Sequence, residues 1–348
     1  MRISPFTPSP LVKKPVIAVT LGDPAGVGPE VTLKAISALR SSLKAQVLLL
    51  GPSCLFEAMA KKIKSGLYFK TISDISDLQS KTSSIPCFFP RPFKYVLRHG
   101  CYNKPLTDMA AYSIELAVDL ALAKKVNALV TAPIHKAGFK KAGYMGSGHT
   151  EYLAQKSRTK HFDMMLAGGP LRVVVVTRHV AIKNVPTLIS KEKVLETILL
   201  TDRELRKSFG IERPRLLIAG LNPHAGENGG MGREEIEHII PAVAAARRKT
   251  NAEIIGPLSP DILFCEAIKG GYDAQICMYH DQGLIPLKMM ARGFGVNITL
   301  GLPFVRTSPD HGTAYDIAPL FKADPGSMVE ALKLSQTLYK NRLRYDQS

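Results

Sequence analysis

The chain has 348 residues, more than a single compact core usually holds, so two domains or one large α/β unit are expected. Hydrophobic residues make up 45% and charged residues 22%, a balance that excludes large-scale disorder. Lys and Arg number 46 against 29 Asp and Glu, a net charge of +17, which suits small anionic ligands, anionic surfaces or nucleic acid.

The basic residues lie in short scattered clusters and Trp is absent, so no aromatic stacking platform accompanies them and no nucleic-acid partner is expected. Five cysteines without a C-x-x-C pair indicate neither a disulfide framework nor a cysteine zinc site, and a reducing cytoplasm is the expected compartment. The first residues lack the apolar run of a signal peptide; three prolines make them a short flexible arm, 1–14. No apolar stretch reaches the length of a membrane span.

In chain order, short β-rich runs alternate with longer amphipathic segments. Strands are expected at 16–20, 46–50, 128–131, 172–177, 216–219, 274–278 and 296–300. Helices are expected at 29–39, 106–124, 191–207, 233–249 and 328–343. This alternation predicts α/β layering with much parallel pairing, and active residues at the carboxyl ends of strands.

The first strand runs into Gly22-Asp-Pro-Ala-Gly-Val-Gly-Pro-Glu30. Its spacing is neither the Rossmann G-x-G-x-x-G nor a P-loop, and a plain strand–helix turn accounts for it equally. Three histidines stand in polar, loop-like settings: His149 at a helix start, His224 after 216–219, and His280 after 274–278. Three imidazoles with open positions suit Zn²⁺, Co²⁺ or a similar metal. Glu151, Glu227 and Asp281 are candidate acceptors for their N–H groups, or plain surface carboxylates. Lys288, Asn297 and Arg306, with His135 and Lys136, suit a phosphate or carboxylate together, although each alone reads more readily as a surface group. Asp310-His-Gly-Thr-Ala314 offers backbone donors to a nucleotide at a turn that is expected to open a helix.

Taken together, these segments resemble the 4-hydroxythreonine-4-phosphate dehydrogenase family of vitamin B6 biosynthesis. The motifs are GDPAGVGPE (22–30), TAPIHK (131–136), GHTE (148–151), LNPHAGE (221–227), MGREEI (231–236), MYHDQGL (278–284) and GVNITLGLPFVRTSPDHGTA (295–314). They occur in family order, and with the closing helix they cover the chain from about Pro15 onward. The HGTA segment also resembles the cofactor loop of isocitrate and isopropylmalate dehydrogenases.

The resemblance implies an α/β fold of two α/β/α-layered domains around a cleft, isocitrate/isopropylmalate dehydrogenase-like. The first domain would comprise 1–132 with 292–348 and the second 133–291. It implies NAD- or NADP-dependent oxidation of 4-phosphooxy-L-threonine to 2-amino-3-oxo-4-phosphooxybutanoate, which decarboxylates to 3-amino-2-oxopropyl phosphate. One divalent metal per subunit (Zn, Mg or Co) would be held by His149, His224 and His280. The substrate would meet His135, Lys136, Lys288, Asn297 and Arg306, and the cofactor His311, Gly312 and Thr313. Lys136 and Asp261 are the candidate proton acceptors, and a homodimer is implied in which Asp261 reaches the site from the partner chain. Relatives acting on 4-phospho-D-threonate or 4-phospho-D-erythronate, or on aromatic cis-dihydrodiols, share this fold; the cations Lys288 and Arg306 with His135 favour a phosphorylated substrate over a neutral ring, and a metal-dependent lyase is a further alternative. Two segments depart from the family pattern. Gly256-Pro-Leu-Ser-Pro-Asp-Ile262 stands where GPLPADT is usual, and Thr177-Arg-His179 where Thr-Thr-His is common.

Overall fold

A computed structural model describes residues 14–78, 83–144 and 148–347; the expected N-terminal arm, up to Lys13, lies outside them. Twelve strands form one sheet: β1 (Val16–Thr20), β2 (Gln46–Leu50), β3 (Phe69–Thr71), β4 (Ile85–Cys87), β5 (Ala128–Thr131), β6 (Asp163–Gly168), β7 (Leu171–Val175), β8 (Arg215–Ala219), β9 (Glu253–Leu258), β10 (Ala274–Cys277), β11 (Val296–Leu300) and β12 (Val305–Pro309). The α-helices are α1 (Gly28–Ala38), α2 (Ser53–Lys62), α3 (Lys104–Leu122), α4 (Lys136–Lys141), α5 (His149–Lys156), α6 (Val185–Leu188), α7 (Lys191–Phe209), α8 (Ile240–Arg247), α9 (Pro260–Ile268), α10 (His280–Ala291) and α11 (Gly326–Tyr345).

The strand order is β3-β4-β2-β1-β5-β12-β11-β6-β7-β10-β8-β9. The ends of the sheet are parallel, as strand–helix alternation predicts. The centre is antiparallel: β11 opposes both β12 and β6, and β6 opposes β7. Five strands are absent from the chain-order expectation. Of these, β3 and β4 have three residues each, β6 is built on methionines rather than β-branched residues, β9 contains a Gly-Pro pair, and β12 reads as polar.

Successive strand residues face opposite sides of the sheet, and the two sides are covered differently. On one side a continuous core runs the whole width, from Ile17, Val19 and Val130 through Val305, Ile298 and Met165 to Val174, Ile276 and Ile218. Helices α1, α7 and α11 pack there. On the other side lie two separate cores. One joins Ala18, Leu48 and Leu129 to α3, α4 and α5; the other joins Leu166, Val173 and Leu217 to α9 and α10. Between them no helix among the described residues covers the sheet. The expected layers and cleft are thus present, as a mixed α/β fold on one continuous sheet. The strands of 1–132 and 292–348 fill one end and those of 133–291 the other, but α4 and α5 pack with the first end.

Local signals explain the helix ends. Ser190 caps α7 by accepting the Lys193 N–H (3.2 Å), and Gly210 ends it at φ 72°. The helix expected over 233–249 is instead a π turn, Glu235–Ile239, followed by α8. Pro241 supplies no N–H to an α-helical ladder there, so the backbone widens before α8 begins. The helix expected after Gly312-Thr313 is only a turn and the 3-10 segment Ala318–Leu320, because Pro319 and the left-handed Ala314 and Phe321 interrupt it.

A buried ion pair ties the two ends together. Arg342 on α11 donates to Glu204 on α7 (2.9 Å), to the Ser208 hydroxyl (2.8 Å) and to the Leu302 carbonyl (3.1 Å). Removing one member strands a buried charge, so Arg342→Met should lower unfolding free energy by about 3–5 kcal/mol in urea titration. Adding Glu204→Leu should restore most of that loss; a double variant as weak as the single would contradict the pairing.

Candidate functional site

The uncovered centre of the sheet forms the floor of a cavity of about 260 Å³. Period-two alternation selects its floor: Thr131 on β5, Arg306 and Ser308 on β12, Asn297 on β11, and Met164 and Leu166 on β6. Register puts Asn297 opposite both Ser308 and Leu166. The walls are helix starts and strand ends. His280, Leu284 and Lys288 recur along one face of α10, and Lys136 opens α4. Gly148, His149, Thr150 and Glu151 come from the start of α5, His179 from the segment after β7, and Asp310, His311 and Gly312 from the segment after β12.

Arg306 dominates the floor electrostatically. It is 2% exposed, yet among the described residues its guanidinium is met by hydroxyls alone: Thr131 accepts from Nε (3.1 Å) and Nη2 (2.6 Å), and Thr299 from Nη1 (3.1 Å). Burial pushes its pKa down to about 9, with Glu151 pulling the other way. Among the described residues no carboxylate pairs with Arg306, Lys136 or Lys288 within ion-pair distance. Three cations around one cavity, one of them buried, make an anion site.

Several buried polar atoms in this wall have no partner among the described residues: His149 Nε2, Asn297 Oδ1 and His311 Nε2. Such atoms are costly unless a ligand or ion satisfies them. His280 Nδ1 pairs with Asp281 Oδ1 at 2.7 Å, an arrangement that leaves Nε2 free as a donor to a metal. Gln282 anchors the start of α10, accepting the Met278 N–H (2.6 Å) and donating to the Gly220 carbonyl (2.8 Å). His179, which no motif in the sequence singles out as a site residue, also lines the cavity; its ring centroid is 5.6 Å from that of His280.

The residues expected from sequence are thus divided. Lys136, His149, His280, Lys288, Asn297, Arg306, His311 and Gly312 meet at one cavity. His135, Thr313, His224 and Asp261 do not line it. His135 lies behind the wall with its ring 4.6 Å from that of Tyr315, and Thr313 packs on Gly26. His224 is exposed on the loop after β8, where His224, Ala225, Glu227 and Asn228 all have positive φ. Buried Glu235 holds that loop's base, accepting the Leu221 (2.7 Å) and Asn222 (2.8 Å) N–H groups. Asp261 is exposed too; the Ser259 hydroxyl (2.5 Å) holds its carboxyl below the ordinary range, and His224 adds to the effect. Among the described residues no three His, Cys, Asp or Glu side chains stand close enough to hold a metal by themselves. The donor set supplied to the cavity by this chain is therefore two imidazoles, His149 and His280, with His179 beside them.

His149 is chemically suited to metal binding. Burial, then the charges of Arg306 and Lys136, hold its pKa well below the ordinary 6.5, so the imidazole is neutral and keeps a lone pair. The unfolded chain takes up a proton below 6.5 that the folded chain refuses, so stability should fall as pH drops through 6.5. Melting temperatures of metal-free protein should show this fall between about pH 7.5 and 5.5, with a shallower slope in His149→Gln. An equal slope in the variant would remove His149 from this account.

No helix among the described residues is long and apolar enough to cross a membrane. Comparison with known proteins agrees with the geometry. Residues 43–335 match the family of the pyridoxal phosphate biosynthetic protein PdxA. A 4-hydroxythreonine-4-phosphate dehydrogenase from Desulfosudis oleivorans is 45% identical over 92% of this chain and 95% of its own length. One from Burkholderia vietnamiensis is 41% identical over 94% and 97%. The crystal structure of 4-hydroxythreonine-4-phosphate dehydrogenase from Klebsiella pneumoniae superposes with a TM-score of 0.83 at 38% identity, covering 94% of this chain and 100% of that one. With family match, relatives and solved structure agreeing over most of its length, the chain belongs to the PdxA family of pyridoxal phosphate biosynthetic proteins and is an oxidoreductase of that family.

Proposed function

We propose that this chain oxidises 4-phosphooxy-L-threonine to 2-amino-3-oxo-4-phosphooxybutanoate, which decarboxylates to 3-amino-2-oxopropyl phosphate, with NAD or NADP as oxidant and one divalent metal per site. The observation that carries this reading is the buried Arg306 guanidinium, set between two threonine hydroxyls in a cavity shared with Lys136 and Lys288. A neutral ring substrate would leave that charge unmet; a phosphate meets it with charge-assisted hydrogen bonds.

When bound, the nicotinamide accepts hydride from the alcohol carbon and the metal polarises the alcohol oxygen. The chain's own residues do the rest. Arg306, Lys288 and Asn297 hold the phosphate, which orients the carbon three bonds away. Thr131 and Thr299 keep the guanidinium from turning. His149 and His280 offer neutral ring nitrogens to the metal, while His311 and Gly312 form the cofactor edge. Lys136, at the first residue of α4, is the candidate proton acceptor within the chain, acting in its unprotonated amine form, and Asp261 is the candidate outside it.

The exposed placement of His224 and Asp261 supports a homodimer in which a second copy brings both to the cavity. Ile262, beside Asp261, is 55% exposed. Ile285 and Met289 on α10 are 60% and 72% exposed, one position on from Leu284 and Lys288 of the cavity wall. Apolar surface at the rim of a site is what a second subunit would cover. The two ends of the sheet are the two domains of this reading, with α4 and α5 joined to the first.

Purified protein should reduce NAD⁺ or NADP⁺ with 4-phosphooxy-L-threonine faster than with 4-phospho-D-threonate or 4-phospho-D-erythronate. Arg306→Met should cut kcat/KM by about a hundredfold, a loss of about 2.7 kcal/mol. A variant with unchanged kcat/KM would remove the phosphate assignment, and turnover without any nicotinamide would point to a lyase. Subunit sharing has its own test. His149→Ala and His224→Ala should each be inactive, and mixing them should restore part of the activity, since mixed dimers regain one complete site. No recovery after verified subunit exchange would place both residues in one subunit's site.

A further inference from the structure

The first glycine loop, residues 22–29, contributes nothing to the cavity lining, although its sequence invites a ligand-cradling role. Its contacts are with other loops instead. The Asp23 N–H donates to the Pro133 carbonyl (2.8 Å), ahead of Lys136. The Val27 N–H donates to the Thr313 carbonyl (3.0 Å), just after His311 and Gly312. Space is exhausted at both points. A side chain at Gly26 would stand 2.7 Å from the Thr313 carbonyl oxygen, and one at Gly22, where φ is +68°, 2.8 Å from the Pro133 oxygen.

One buried bond reaches further. Asp23 is 2% exposed; its Oδ2 accepts from the Tyr315 hydroxyl at 2.6 Å and its Oδ1 from the Ala25 N–H at 2.9 Å. Burial pushes the carboxyl above its ordinary range and the Tyr315 bond opposes that shift. Tyr315 follows Ala314, a non-glycine residue at φ +42°. An L-residue keeps that backbone only when its surroundings hold it. Beside the Val27–Thr313 backbone bond, a side-chain tether holds this turn, the Tyr315 phenol on Asp23, and the Tyr315 ring also lies against His135.

We infer that Asp23 and Tyr315 are a positioning pair for the cofactor edge: their hydrogen bond holds the 311–315 turn so that His311 and Gly312 stand at the cavity wall. Neither side chain lines the cavity, so the pair acts through the turn and not on substrate. The inference rests on the nicotinamide dependence proposed above.

The test is titration of NADH and NADPH against full-length wild type, Tyr315→Phe and Asp23→Asn, followed by fluorescence. Tyr315→Phe keeps the ring on His135 and removes only the O–H. Its nucleotide Kd should rise about tenfold. Its KM for the phosphorylated substrate should stay near wild type, and its melting temperature should fall by no more than a few degrees, the cost of one buried hydrogen bond. Asp23→Asn, whose amide oxygen still accepts a hydrogen bond, should lose less. Unchanged nucleotide binding in Tyr315→Phe overturns the pair while leaving the dehydrogenase reading intact. So does a parallel weakening of nucleotide and substrate with a larger fall in melting temperature, the mark of general loosening. Wild type that binds neither nucleotide overturns the dehydrogenase reading and this inference with it.

Discussion

A guanidinium inside a β-sheet is the constraint from which the rest of this structure follows. Arg306 sits on a fully buried strand between β5 and β11, and burying an unpaired cation is costly. Its neighbours answer with hydroxyls where an ordinary sheet would carry valines: Thr131 on one strand and Thr299 on another. Hydroxyls orient the charge without cancelling it, so the strand keeps its pull on an anion. The same requirement keeps the central face of the sheet clear of helices, because an apolar helix packed there would bury the cation dry.

Sheet topology makes that clearing. Parallel ends carry helices on both faces, as parallel sheets generally do. The antiparallel centre breaks the pattern, and the two helix layers on the second face stop short of each other. The first face stays continuous, so the cleft has an unbroken apolar backing. On that backing the Arg342–Glu204 pair binds α11 to α7 across the middle. Rigidity behind the cavity and open space in front of it come from the same strand order.

Loops finish the site in a hierarchy. Those that touch the cavity, after β5 and β12, are braced by one that does not, after β1. Glycine is needed in the bracing loop because other backbones come within contact distance, not because a phosphate does. The loop after β8 is different: a run of left-handed residues presents His224 outward, held at its base by Glu235.

The sequence by itself determined the alternating α/β layout, the glycine loop after the first strand and most of the cavity's charged residues. Those features depend on local periodicity and on residue types that signal alone, such as the valine run of β7 or the Gly-His and His-Asp pairs. Only the tertiary structure decided where β12 lies, since its residues Val-Arg-Thr-Ser-Pro look like a polar loop until β5 and β11 flank them. A legible trace did exist: Asn297-x-Thr299 and Arg306-x-Ser308 alternate polar residues at the strand period. The tertiary structure also brought in His179 and set His224, Asp261 and His135 off the cavity. Sequence spacing cannot make those distinctions. Whether two loops far apart in the chain share a cavity depends on strand order and on which face of the sheet is left bare, and both are set by packing across the whole molecule.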